Sequence, residues 1–429
     1  MSEAALEKKP FPRVFWVANG IEVLERAAFY GVYINLQVYL IDNVRMNERD
    51  VGALLGVFAF LKATLPVAIG ALADVIGFRT SLICAFTLYA SAYLALFTAP
   101  TRELAYGALI GMAVGGAFMK PVISGSVQKY SPEGRQTEGF AIFYSAVNGG
   151  SVVGKVITWA IRTTISLRAS MISAIVASIL ALITAIVAYR EPEAVREEKK
   201  KAIGAILAET VGVYAKALTD VRLALFLVIV AGYYLLIEQF YQTFPVYMLR
   251  AISDKAPREL FSLVNPISIA LLQVLVARLT MKLDPLLAMA CGIGLGAVSM
   301  LAMGIPTMAT AAGSFFVFAL AEMAFSPRYY AFVGSFAPKG KEGLFMGLAL
   351  APAGVGPLVG GILSGRLIER YLPKEGERQP LMVWGTYAAI GLVCALAMLG
   401  YRAVFRSKIP EQRALVRGFS PRSTFACST

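Results

Sequence analysis

Nine ionisable side chains stand inside long apolar stretches of the sequence, where a charge is unfavourable. They are Glu22, Glu25, Arg26, Lys62, Lys120, Lys155, Glu238, Glu322 and Arg328. At about 3 kcal/mol for each charge that faces lipid, the set would cost about 27 kcal/mol, against a typical folding free energy of roughly 5–15 kcal/mol. Most of these groups must therefore face one another or water, as the ionisable groups of proton relays and substrate pathways do.

Spacing along three of these stretches places polar side chains on one helix face. The first stretch carries Asn19, Glu22, Glu25, Arg26, Phe29, Tyr30, Tyr33 and Gln37 at intervals of three or four residues. The fifth carries Tyr144, Asn148, Ser151 and Lys155, and the seventh carries Tyr234, Glu238 and Gln242. Polar side chains also bridge membrane helices for structural reasons alone. Two ionisable stripes, together with Lys120 and Glu322, favour a water-filled central cavity.

Lys62 and Arg328 differ in their depth. Lys62 lies about 18 Å of helix rise from the end of its stretch at Asp74, which favours a position in the cavity. Arg328 follows Glu322 by six residues, so it points to another side of the helix. It also lies close enough to the helix end for its guanidinium to reach the interface.

Composition explains why the elements around these groups must be membrane helices. The 429 residues are 58% apolar and 16% charged, against about 45–50% and about 25% in soluble domains. The sequence contains no His, which excludes His-based catalytic triads and His metal sites. The four cysteines are scattered, without a disulfide or zinc pattern. We therefore expect no enzyme, no metal and no cofactor, and carboxylates as the carriers of any proton.

Twelve apolar runs are long enough to cross about 30 Å of hydrocarbon. They lie at about 13–41, 51–74, 80–99, 104–127, 138–161, 169–190, 221–248, 259–280, 286–304, 308–334, 343–365 and 381–404. The fifth and eleventh runs both become Gly-rich midway, which indicates two related halves. We predict an all-α membrane protein with an N-terminal six-helix bundle (1–190), a cytoplasmic linker with an amphipathic helix (191–220), a C-terminal six-helix bundle (221–405) and a basic tail (406–429).

The net charge of +13 follows from topology rather than from nucleic-acid binding, because no basic helix or aromatic-basic motif accompanies it. Lys and Arg are more frequent in the segments on the side of the N-terminus, which predicts cytoplasmic N- and C-termini. We expect a multi-pass protein of the plasma or inner cell membrane that keeps its N-terminus. The linker and tail are either solvated or lie on anionic membrane lipid.

The segment between the second and third runs, Gly70-Ala-Leu-Ala-Asp74-Val-Ile-Gly77-Phe-Arg79, resembles the GxLxDxxGxR signature of the major facilitator superfamily. The resemblance implies that Gly70, Asp74, Gly77 and Arg79 form a cytoplasmic gate. Small residues there let helix ends approach closely, and the Asp and Arg form a latch that breaks as two halves rock.

A narrower resemblance is to the proton-dependent oligopeptide transporter (POT) family. Glu22-Val-Leu-Glu25-Arg26-Ala-Ala-Phe29-Tyr30-Gly31 is similar to its ExxERFxYY motif. Further segments that resemble the family occur in the same order: Pro66 with Gly70, Ala73 and Asp74, Met119-Lys120-Pro121, Phe143-Tyr144-Ser-Ala-Val-Asn148-Gly-Gly-Ser151, and Glu322-Met-Ala-Phe-Ser326-Pro327. The resemblance implies a proton-coupled importer of di- and tripeptides or a related small zwitterion, working by alternating access, with a functional monomer.

Residue roles follow from that resemblance. Proton coupling would involve Glu22, Glu25, Arg26, Lys120, Glu238 and Glu322. Substrate binding would involve Arg26, Tyr30, Tyr33, Lys62, Lys120, Tyr144, Asn148 and Glu322. Arg26 and Lys120 would meet the substrate carboxylate, and Glu322 would meet the amino end. Lys62 is included for its depth in the second run rather than for the resemblance.

Several residues depart from the family pattern, and these departures bear on which substrate is bound. Ala27 and Phe29 replace aromatic residues of the motif, no Trp precedes Glu238, and Lys62 adds a cation. The surplus of cations would also suit a symporter of small carboxylates or anions. Gly356-Pro357-Leu-Val-Gly360-Gly361 resembles a drug-antiporter motif, but its position on the eleventh run favours tight helix packing. A drug-type antiporter and a non-transporting membrane sensor remain as alternatives.

Overall fold

The computed structural model describes residues 10–190, 203–338 and 342–405, which are almost entirely helical. The first six predicted spans correspond to α1 (Arg13–Asp42), α2 (Glu48–Ile76), α3 (Phe78–Thr98), α4 (Arg102–Tyr130), α5 (Gln136–Thr164) and α6 (Met171–Val187). Helix α7 (Ile203–Leu218) follows, within the predicted linker.

The other six spans include three that are interrupted. Helix α8 (Val221–Gln242) continues through α9 (Phe244–Tyr247) and a π-helical turn (Met248–Ile252), α10 (Arg258–Phe261) precedes α11 (Val264–Thr280), and α14 (Glu342–Leu348) precedes α15 (Pro352–Tyr371). The continuous spans are α12 (Pro285–Ala302), α13 (Met308–Gly334) and α16 (Pro380–Phe405).

Ten of the spans among the described residues are long and apolar enough to cross a membrane. The other two of the predicted twelve are α1, whose Glu22, Glu25 and Arg26 lower its hydropathy, and α6, an apolar helix of 17 residues. The twelve-helix prediction is thus confirmed, and the protein is a multi-pass membrane protein. The basic tail and residues 191–202 of the linker lie outside the described residues, and the predicted domain boundaries stay a prediction.

Polar residues between the apolar runs begin the helices. Asn47, Thr101, Asp220 and Asp284 each accept a hydrogen bond from a backbone N–H in the first turn of the next helix. Such N-caps stabilise a helix by about 1 kcal/mol. Asp220 also bonds the Arg222 side chain, and this guanidinium lowers the pKa of the Asp220 carboxyl.

Packing brings helices of the two halves into contact. Helix α1 packs on α5 and α6, and α12 packs on α13 and α16, whereas α2 of the first half packs on α15 of the second. The α2–α15 contact is made by glycines: a Cβ at Gly52 would lie 2.7 Å from the backbone N of Gly365. The tight packing expected from the sequence is therefore present: Gly361 packs on α2 and joins the halves, whereas Gly356 and Gly360 pack on α8.

Polar contacts join the halves at the end of the molecule where α1 finishes and α2 begins, which we call the far end. Arg250 of the second half bonds Glu48 at 2.7 Å, and Lys374 bonds Asp42 at 3.0 Å. Arg49 also pairs with Glu369. The structure is therefore closed at the far end.

Candidate functional site

A cavity of about 650 Å³ lies between the two halves, within the size range of small-molecule sites. The first half contributes α1, α2, α4 and α5, and the second half contributes α8, α11, α13 and α15. The polar and charged lining residues are Tyr30, Tyr33, Lys62, Lys120, Ser124, Asn148, Ser151, Lys155, Tyr234, Glu238, Tyr241, Ser262, Asn265 and Glu322. Five of the nine predicted intramembrane charges thus meet in one cavity, as the sequence predicts.

The α1 carboxylates form a cluster beside this cavity rather than in its lining. The Arg26 Nε lies 2.9 Å from Glu22 Oε1 and 2.5 Å from Glu25 Oε2, and all three residues are buried. Tyr89 of α3 donates to Glu25 at 3.1 Å. Glu25 and Arg26 line a small recess of about 30 Å³ that they share with Tyr30, Lys62 and Lys120. Because the last three also line the large cavity, the cluster adjoins the substrate-sized space.

Glu238 receives a hydrogen bond from across the interface. The hydroxyl of Tyr33 on α1 donates to Glu238 Oε1 on α8. Lys62 lies over the Tyr33 ring, with its Nζ 4.7 Å from the ring centroid, and 5.2 Å from that of Phe29. A cation in these positions is attracted to the ring faces. Tyr33, Lys62 and Glu238 therefore form one group that spans both halves.

Glu322 and Arg328, both on α13, have different surroundings. Glu322 lines the cavity and accepts a hydrogen bond of 3.1 Å from Asn265 on α11. Arg328 donates to the carbonyl oxygens of Ala324 and Thr280 at 2.8 and 2.7 Å. Arg328 is not among the cavity-lining residues, in agreement with its predicted position on another side of the helix.

The α4 and α5 residues differ in their access to the cavity. Lys120 and Asn148 are exposed and line it. Tyr144 is 65% exposed and lies outside the lining, so the structure does not bring it together with the other predicted substrate residues. Its backbone carbonyl accepts from Asn148 at 3.0 Å.

The predicted gate segment joins α2 and α3. Gly77 has a φ of +88°, a conformation that favours glycine, and lets the chain turn directly from one helix into the next. A Cβ at Gly70 would lie 3.3 Å from Pro121 of α4. Arg79 donates to the Ile186 carbonyl at 2.5 Å. The Asp74 side chain lies outside the described set, so the Asp–Arg latch stays a prediction.

A buried polar cluster at the far end was not predicted from the sequence. Arg162 of α5 pairs with Glu259 of α10, whose Oε1 also accepts from Asn35 of α1 at 2.8 Å. Arg258 donates to the Asn35 side chain at 2.5 Å. Glu259 is fully buried. The signal in the sequence is the adjacent Arg258-Glu259 at the start of an apolar run, a pattern that indicates a span boundary and not a buried cluster.

Four uncharged polar residues of the cavity lining lie outside the sequence prediction. They are Ser124, Tyr241, Ser262 and Asn265. Their spacing does not distinguish them from polar residues that bridge helices.

Comparisons with known proteins agree with this architecture. A family model described as the Major Facilitator Superfamily matches residues 21–256. "Dipeptide and tripeptide permease B" of Aliivibrio fischeri is 29% identical over 156 residues, which cover 35% of this chain and 31% of that protein. "Dipeptide and tripeptide permease A" of Escherichia coli is 26% identical over 176 residues, covering 38% and 35%. These matches thus span about a third of the length of the curated relatives.

Solved structures match over nearly the whole chain. A POT family transporter in complex with a thioalcohol-conjugated peptide has a TM-score of 0.75 at 18% identity, covering 93% of this chain and 97% of that one. A POT family transporter in complex with 5-aminolevulinic acid has a TM-score of 0.72 at 18% identity, covering 94% and 98%. The fold is therefore that of these transporters. The family model matches more than half of the length of this chain, so the chain belongs to the major facilitator superfamily. Within that superfamily it is most like the POT family.

Proposed function

We propose that the protein is a proton-coupled symporter that imports di- and tripeptides, or a related small zwitterion, by alternating access. The observation that carries the proposal is the cavity between the halves, which holds both lysines and glutamates and adjoins the Glu22–Glu25–Arg26 cluster. A zwitterion needs a cation for its carboxylate and an anion for its amino group, and the two kinds of group line one space. The names of the permeases and transporters to which the chain is similar support the same substrate class.

Proton coupling rests on the stoichiometry of the α1 cluster. Two buried carboxylates share one guanidinium, so the cluster carries an uncompensated negative charge when both are ionised. Protonation of either carboxylate makes the cluster neutral, which a low-dielectric environment favours. Protons are therefore the proposed coupling ion, and no other cofactor enters the proposal.

Coupling to substrate follows from shared cations. Lys120 lines both the cavity and the small recess that contains Glu25 and Arg26. A substrate carboxylate that binds Lys120 competes with the glutamates for the positive charge, so binding and protonation depend on each other. Glu322 then receives the amino end, and Tyr30 and Asn148 bond the peptide from the first half.

Alternating access needs an interface that separates. In the proposed cycle the far-end ion pairs and the α2–α15 glycine contact break while the opposite ends of the halves approach. The gate segment at Gly70, Asp74, Gly77 and Arg79 lies at that opposite end of α2. We further propose a functional monomer in the plasma or inner membrane, with its termini in the cytoplasm.

Uptake by proteoliposomes tests the proposal. With an inward proton gradient, labelled Ala-Ala should accumulate, and a protonophore should abolish the accumulation. Glu22→Gln and Glu25→Gln should lose gradient-driven uptake and keep counterflow exchange, whereas Glu103→Gln, an exposed carboxylate on α4, should behave as wild type. Accumulation that persists without a gradient would contradict symport, and ligand binding without accumulation would indicate a sensor.

A symporter of small carboxylates is a second candidate, because three lysines and two glutamates line the cavity among the residues that the structure describes. The same vesicles distinguish the two functions. Succinate uptake without Ala-Ala uptake would favour the second candidate over the first.

A further inference from the structure

Lys155 is a buried cation in the cavity wall without a carboxylate partner among the described residues. Its side chain lies near the middle of α5 and is 1% exposed. The Nζ donates to the Ser262 carbonyl at 3.4 Å, the outer limit of a hydrogen bond. It also lies 5.5 and 5.9 Å from the ring centroids of Tyr30 and Tyr241. An ammonium group has three donors, so this setting leaves it incompletely satisfied.

The carboxylates on the elements packed around Lys155 have other partners. Glu238 accepts from Tyr33, Glu322 accepts from Asn265, Glu259 pairs with Arg162, and Glu25 pairs with Arg26. A buried charge that lacks a partner is strongly unfavourable. None of these carboxylates is paired with Lys155, so an anion that enters the cavity would compensate its charge.

The surroundings of Lys155 provide further donors for such an anion. Ser151 lies one helical turn before it on α5, and Asn265, whose amide has a second N–H besides the one that bonds Glu322, faces the same cavity from the second half. Hydroxyl and amide groups donate to carboxylate oxygens. Lys120, the cation proposed for the substrate's main-chain carboxylate, belongs to α4, so the two lysines reach the cavity from different helices.

We propose that Lys155 forms a second anion subsite, which binds the acidic side chain of a substrate peptide. The inference rests on the proposed function and deepens it: the preferred substrates are peptides that contain Glu or Asp. The side-chain carboxylate of such a peptide pairs with the Lys155 ammonium group. A neutral peptide leaves that group without an anion, as in the structure.

Binding of matched peptides to the purified full chain tests the subsite. Ala-Glu and Ala-Gln have nearly the same shape and differ in side-chain charge. We expect Ala-Glu to bind with a Kd at least about tenfold lower at neutral pH, because a hydrogen bond to a charged group contributes more than a neutral one. Competition against labelled Ala-Ala uptake provides a second readout.

Variants then localise the preference. Lys155→Met keeps the apolar length of the side chain. It should bind Ala-Glu and Ala-Gln with equal affinity, without loss of Ala-Gln binding. Lys155→Arg should retain the preference for Ala-Glu over Ala-Gln. Lys216→Met, on the exposed face of α7, is the control and should leave that preference unchanged. Lys62→Met removes a cavity cation elsewhere. Equal loss in Lys62→Met and Lys155→Met would assign the preference to overall cavity charge and overturn the subsite.

The two levels of the proposal fail in different ways. Equal affinity of the wild type for Ala-Glu and Ala-Gln, with uptake of both, would overturn the Lys155 subsite and leave peptide transport intact. Absence of uptake of every peptide, including Ala-Ala, would overturn the proposed function and the subsite with it.

Discussion

The glycine contact between α2 and α15 is the most direct point at which to perturb the interface of the two halves. A Cβ at Gly361 would lie 2.7 Å from both the Cα and N atoms of Gly56, and would contact the carbonyl oxygen of Gly52. Favourable carbon contacts begin near about 3.5 Å. The obstructing atoms are backbone atoms of another helix, so no flexible side chain can move aside. Gly361→Ala should therefore push the halves apart at the far end.

The magnitude combines two opposing effects. Overpacking of a close contact costs typically about 1–3 kcal/mol. Replacing a helical Gly by Ala gains about 1 kcal/mol in helix propensity, which a control can measure. Gly385 on α16 has no atom within 4 Å of its Cβ position, so Gly385→Ala reports the gain alone. Relative to that control, Gly361→Ala should destabilise the closed far end by about 1–3 kcal/mol, a change of roughly 5- to 150-fold in the closed-to-open ratio.

Spin labels measure that ratio. Cysteines at Glu103 and Glu377, which are exposed at the far ends of the two halves, would be labelled in a background without the native cysteines. The distribution of distances between the two spin labels should shift toward longer distances in Gly361→Ala and stay unchanged in Gly385→Ala. Thermal unfolding in detergent would show how much of the cost appears as lost stability of the fold.

Two results would refute the reasoning. If Gly361→Ala has the distance distribution and unfolding temperature of Gly385→Ala, the close backbone approach does not exist. If it lowers the unfolding temperature but leaves the distances unchanged, the glycine packs the closed state without controlling its opening.

Three further changes test the buried polar groups. Arg26→Met leaves two buried carboxylates without their cation, so it should lower stability at neutral pH by about 3–5 kcal/mol, as measured by thermal unfolding, and abolish gradient-driven uptake. Glu259→Gln leaves Arg162 unpaired and should destabilise the closed far end by a similar amount, seen as longer spin-label distances. Tyr33→Phe removes the donor to Glu238 and should destabilise the closed state by about 1.5–3 kcal/mol, the contribution of a hydrogen bond to a charged group. The same spin-label distances would measure this change.

Each of these changes has its own control. Adding Glu25→Gln to Arg26→Met should restore part of the stability, since fewer charges remain unpaired; no recovery would mean that Arg26 acts through packing. Replacing both Arg162 and Glu259 by Met should recover most of the loss, because an apolar pair replaces a buried ion pair at little cost. Tyr33→Phe distances identical to wild type would show that the Tyr33–Glu238 bond does not hold the halves together.

Much of the cavity could be predicted because intramembrane charge is so unfavourable that its position is informative. Glu238 and Lys155 stand at helical spacing with other polar residues, and both line the cavity. Arg26 illustrates the limit of this reasoning. It shares a face with Tyr30, yet its guanidinium is held by Glu22 and Glu25 beside the cavity, since side-chain pairing decides which way a long side chain turns.

The far-end cluster marks a second limit. Asn35, Arg162 and Glu259 lie on three different helices and meet where the two halves are in contact. No spacing along a single helix connects them. Tyr144 shows the converse: it follows the stripe of Asn148, but at 65% exposure it lies beyond the cavity lining.

The sequence by itself determined the membrane location, the twelve spans and the identity of the ionisable groups, because hydropathy and charge cost depend only on local composition. It also predicts that carboxylates carry any proton, since the chain has no His. Only the tertiary structure decided which charges are paired and which face the cavity, and that glycines of α2 and α15 join the halves. The physical reason is that pairing and close packing depend on distances between helices, which the periodicity of any one helix does not contain.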